Sequence, residues 1–87
     1  MQWTEYQNAA SHTGIHIGLG VGPYAAEVVE QRDDWTWSLR EIGAAGAGIV
    51  AEGRAVTSGA ARVAAEGMAV ALHGRAAMVE RARSVEV

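Results

Sequence analysis

A branched apolar residue recurs every seven positions through the second half of this 87-residue chain. Ile42, Ile49, Val56, Val63 and Val70 hold the first place, and Gly46, Gly53, Ala60, Gly67 and Gly74 each follow four residues behind. A three-four spacing sustained over five heptads is the pattern of a coiled-coil seam. The small residues set a condition on it. Seven glycines lie between Leu39 and Arg83, and each costs about 1 kcal/mol relative to alanine inside a helix. An isolated helix would not survive that penalty. Either the glycine stripe packs closely against another backbone, as small-residue interfaces do, or the segment is not one helix.

The ends of the segment argue for a helix. Ser38 and Glu41 fit a capping box, and Trp37 and Ile42 flank it as a hydrophobic staple. No proline follows, and Arg81 and Arg83 sit where a helix C-terminus favours cations. The spacing predicts a continuous helix over 39–83, about 67 Å long. A break at Thr57, Ser58 and Gly59 would give a helical hairpin instead, but the heptad phase runs from Val56 to Val63 undisturbed. The remaining 38 residues cannot cover such a stripe, so its partner must come from another chain.

Before Ser38 the pattern changes. Ile15, Ile17, Leu19 and Val21 alternate with His16, Gly18 and Gly20, the period-two signature of a strand. Pro23 is well placed to open a short helix over 24–31. Residues 33–37 read as a connector, and 1–12 carry no assignable pattern. The fold class expected is therefore mainly α: a short N-terminal strand and short helix (1–37), then one long heptad-patterned helix (38–87), a single domain packed in an oligomer.

Composition bears on the core and the partners. Of the apolar residues 18 are alanine, with three leucines and no phenylalanine, so a lone chain would have a thin core. No apolar run approaches the roughly 20 residues of a membrane span, and the polar start lacks the layout of a secretion signal. These features point to the cytoplasm or to a particle assembled inside the cell. The net charge is −3, and the six arginines after Ser38 are interspersed with five glutamates. Nucleic-acid binding, which needs concentrated positive charge, is not expected.

Candidate chemistry is sparse. Gly18, Gly20 and Gly22 invite comparison with a dinucleotide-binding loop, but Pro23 breaks the fingerprint and no room remains for a second βαβ unit. His12 and His16 are four apart without a third ligand. His73 flanks the seam, and no serine stands in the company a nucleophile requires. Asp33 and Asp34 suit a solvated connector. No catalytic, cofactor or metal residue is expected. The candidate residues are those of an interface: Trp35 and Trp37, since tryptophan anchors hot spots, and the stripe Ile42, Gly46, Ile49, Gly53, Val56, Ala60, Val63, Gly67, Val70 and Gly74. Arg54 and Arg75 fall on the far side of the heptad wheel. The chain reads as a self-associating assembly protein, a component of a virion, tube or shell, partnered by itself and by other assembly proteins. The alternative is a small adaptor that binds a different protein through Trp35, Trp37 and the helix.

Overall fold

The computed structural model describes residues 1–8, 13–43 and 48–85. Five strands come first: β1 (Gln2–Asn8), β2 (Thr13–Val21), β3 (Tyr24–Glu30), β4 (Trp35–Glu41) and β5 (Ile49–Ala55). They form one antiparallel sheet in sequence order. A single helix, α1 (Ser58–Val85), follows and lies across one face.

This corrects the mainly α expectation. The alternation over Thr13–Val21 does make a strand, but the short helix expected over 24–31 is β3. There Tyr24, Ala26 and Val28 turn inward and their neighbours outward. Residues 33–37 are not all connector, because Trp35 opens β4. Ser38 and Glu41 lie in β4 rather than at a helix cap. The helix begins at Ser58, after a bend at Val56 and Thr57, so no coiled-coil seam runs from Ile42. The glycines explain why. Gly43 and Gly53 lie in a bend and a strand, while Gly59, Gly67 and Gly74 lie in α1. The helix therefore carries only about 3 kcal/mol of glycine penalty, and docking on a sheet can offset it. A seven-residue repeat also has no meaning in extended backbone, where like faces recur at even steps.

Two local devices build the sheet. Gly22 and Pro23 form a two-residue reversal between the paired Val21 and Tyr24. Gly22 has a φ of 52°, and positive φ at the first turn position matches the twist of a hairpin. The loop after β4 is held by the Ile42 amide, which donates to the Pro23 carbonyl at 2.6 Å. At the start of α1, the Thr57 hydroxyl accepts from the Ala60 amide at 3.1 Å, a true N-cap.

The register sorts each strand into two faces. Across the inner face run Trp3, Gly18, Ala26, Leu39 and Ala51 in one row, and Glu5, His16, Val28, Trp37 and Gly53 in the next. The helix covers these rows with Ala61, Ala65 and Ala69, all fully buried. Their four-residue spacing gives α1 a smooth ridge that approaches the sheet closely. Leu39 and Val28 are the largest side chains wholly out of solvent. The core is thin, and much of its bulk comes from Tyr24 and Trp37.

Candidate self-association surface

The side of α1 turned away from the sheet is apolar. Ala60, Val63, Gly67, Val70 and Gly74 lie opposite the alanine ridge and are all exposed. Val63 is 72% exposed, Val70 55% and Met78 70%. A side chain added at Gly67 or Gly74 would meet nothing within 4 Å. The helix also outruns its support. Its 28 residues span about 42 Å, whereas a seven-residue strand spans about 23 Å. It passes the β2–β3 turn where a side chain at Gly22 would run into His73. From His73 to Val79 every residue is exposed, and a shallow groove lined by Val70, Ala71, Gly74, Arg75, Met78 and Val79 runs onto this overhang.

The rest of the expected stripe is dispersed. Ile42 is exposed in the bend after β4, Ile49 is exposed at the start of β5, and Val56 is exposed in the link to α1. Gly46 lies outside the described residues. Gly53 faces inward under Trp37: a Cβ there would come within 2.7 Å of the indole Nε1. The structure thus gathers Ala60, Val63, Gly67, Val70 and Gly74 on one helix face and leaves Ile42, Ile49, Gly53 and Val56 off it.

Trp35 and Trp37 share a face of β4, and that face is the one beneath the helix. Trp37 is buried and Trp35 half-buried. Trp35 packs against His16, with ring centroids 5.2 Å apart and planes tilted by 49°. Both indoles serve the chain's own core.

Polar groups fasten α1 to β1 and β2. Arg62 Nε donates to His16 Nδ1 at 2.8 Å, and the same guanidinium pairs with Glu5 and lies 5.5 Å above the Trp3 ring. Glu66 accepts from the Met1 ammonium at 2.9 Å and from Trp3 Nε1 at 3.5 Å. Burial and the neighbouring Arg62 charge hold the His16 imidazole below its ordinary pKa, although Glu5 and Glu30 pull the other way. Hydrogen bonds from the Met1 ammonium and Trp3 lower the Glu66 carboxyl. Glu5 and His16 are committed to Arg62, so the cluster works as a clasp. Among the described residues no group of three His, Asp or Glu side chains is arranged to hold a metal.

Sequence reasoning missed this clasp, because its members are separated by 46 and 57 residues and only the meander brings them together. It also missed β5 as a strand. The alternation of Glu52 and Arg54 with Ala51, Gly53 and Ala55 was the available signal.

No protein-family model, curated protein or solved structure matches this chain. Among the described residues no helix is long and apolar enough to cross a membrane.

Proposed function

We propose that the chain is a non-enzymatic assembly protein that associates with copies of itself, as a repeating component of a larger particle such as a virion, tube or shell. The observation that carries this reading is the outward face of α1. Soluble monomers rarely leave a contiguous apolar patch of this kind without a use. Here valines and a methionine stand exposed along the side opposite the docking ridge, with glycines between them that admit a close neighbour. The same helix extends past its own sheet, which places the patch where a second copy can reach it.

The adaptor reading keeps the helix and the half-buried Trp35, but Trp37 is covered by its own chain. Self-association is the more economical account because it needs no further component.

Sedimentation at micromolar concentration tests the proposal. The wild-type chain is expected to run as an oligomer. Gly67→Leu is expected to weaken association while leaving the fold intact, because the position is open in the single chain and the substitution raises helix propensity by nearly 1 kcal/mol. A compact 9.1 kDa species at all concentrations would exclude the reading.

A further inference from the structure

The sheet has two edges, and they differ. On β1 the charged Glu5 points to the inner face, and the Arg62 guanidinium reaches it and covers Trp3. An inward-pointing charge and a covering side chain are devices that keep a strand edge from pairing. On β5 there is neither. Ala51, Gly53 and Ala55 face inward, Glu52 and Arg54 face outward, and the strand holds no proline or lysine. Among the described residues no strand lies beyond it.

The β5 sequence is also its own complement. When two copies run antiparallel about a two-fold axis at Gly53, Glu52 of one copy falls opposite Arg54 of the other, and the pair occurs twice. Ala51 falls opposite Ala55 on the inner face, and Gly53 opposite Gly53. Small residues meet small residues, and opposite charges meet on the solvated face. Directly opposed residues in such a ladder have Cβ atoms about 5 Å apart, close enough for the charges to act. Arg54 is available for this. Its present partner is Asp34 at 3.9 Å, and the Arg54 side chain is 78% exposed. A shift by one residue would set the charges opposite Gly53 and an inner-face alanine, and a shift by two would set Glu52 opposite Glu52 or Arg54 opposite Arg54, so the pattern favours this alignment.

We infer that β5 pairs antiparallel with β5 of a second copy, centred on Gly53, making a ten-stranded sheet across a two-fold axis. The inference rests on the self-association reading and names a surface distinct from the α1 face. Two different contacts per chain, one through β5 and one through α1, would let assembly continue beyond a dimer.

Charge reversal tests the pairing. Glu52→Arg alone and Arg54→Glu alone each set like charges opposite one another twice per dimer. Both are expected to weaken association by at least roughly tenfold in sedimentation equilibrium. The double variant Glu52→Arg/Arg54→Glu restores both pairs and is expected to restore association. Register is read separately by crosslinking. The chain has no native cysteine, so a mixture of Glu52→Cys and Arg54→Cys chains should form the mixed disulfide in preference to either homodimer, with one native charge pair retained. Circular dichroism on each variant checks that the fold persists. If the wild type associates but neither reversal weakens it, or the double variant fails to recover, the β5 pairing is overturned and self-association stands through another surface. A wild-type chain that stays monomeric at tens of micromolar overturns both.

Discussion

Arg62 Nε donates to His16 Nδ1 across 2.8 Å, which holds a buried imidazole of the sheet as an acceptor, unprotonated at that nitrogen. Around it stand Arg62 from α1, Glu5 from β1 and Glu30 from β3, with Trp35 of β4 against the ring. Protonation of Nδ1 would end the hydrogen bond and place two cations side by side.

Acid should therefore loosen the fold. The folded-state pKa of His16 lies below the ordinary value of 6.5, so in the window between the two the unfolded chain binds more protons. Stability from this group is full above about pH 6.5 and declines as the pH falls toward the folded value. Glu66, also lowered, acts in the same direction at more acid pH. Urea titrations at about pH 7.5 and 5.5 should show the loss. His16→Gln, which keeps an acceptor for Arg62, should flatten the slope in that range. An unchanged slope in the variant would assign the pH dependence to other groups.

Two glycine substitutions should have opposite signs. Gly53→Ala forces a methyl within 2.7 Å of the Trp37 indole, and overpacking of this kind costs about 1–3 kcal/mol. Gly67→Ala meets nothing within 4 Å and should gain up to about 1 kcal/mol of helix propensity. Urea midpoints measured side by side decide this. A shift in Trp37 emission is expected in the first variant only.

The buried and exposed apolar residues should separate fold from assembly. Leu39→Ala removes a fully buried side chain and should cost about 2–5 kcal/mol. Val63→Ser changes a residue that is 72% exposed, so the stability of the single chain should move by no more than about 0.5 kcal/mol. Its effect should appear in sedimentation instead, as weaker self-association. Equal loss of stability in both would mean that Val63 supports the fold.

The helix start offers a smaller test. Thr57→Ala removes the acceptor for the Ala60 amide and should cost about 1 kcal/mol. Thr57→Ser keeps the hydroxyl and should recover most of it. Thermal melts by circular dichroism resolve the difference.

What the sequence disclosed depended on how strong each local pattern was. Ile15 to Val21 announced β2 because branched residues alternate there without interruption. Even so, the apolar set pointed the wrong way: the face with His16 and Gly18 is the buried one, since Trp3 stacks over Gly18 and needs its bareness. β3 and β5 were hidden because alanine and glutamate, both good helix formers, fill strand positions whose conformation is set by pairing with neighbours. Ser38 and Glu41 have the chemistry of a helix cap, but Ser38 is paired with Glu27 of β3 and Glu52 of β5, and Glu41 with Tyr24 of β3. On α1 the heptad spacing did mark one common face, Ala60 to Gly74. The face that meets the sheet is instead the row beginning one residue later, at Ala61, where small alanine side chains keep the helix close to the sheet. The clasp of Arg62, His16 and Glu5 left no local trace, because it exists only when β1, β2 and α1 are assembled.

Every strand after β1 pairs with the strand before it in the chain, and that has a consequence for the order of events in folding. Neighbouring hairpins close over short loops, each on a timescale of about 1–10 μs. The helix is different. Arg62 must find a residue 46 positions away, and Glu66 one 65 positions away. Such distant closures are the slow ones, so the docking of α1 on the sheet is expected to come after the hairpins close. Trp37 should then leave water when α1 docks and not when the helix first coils, because what covers it is a ridge made of alanine.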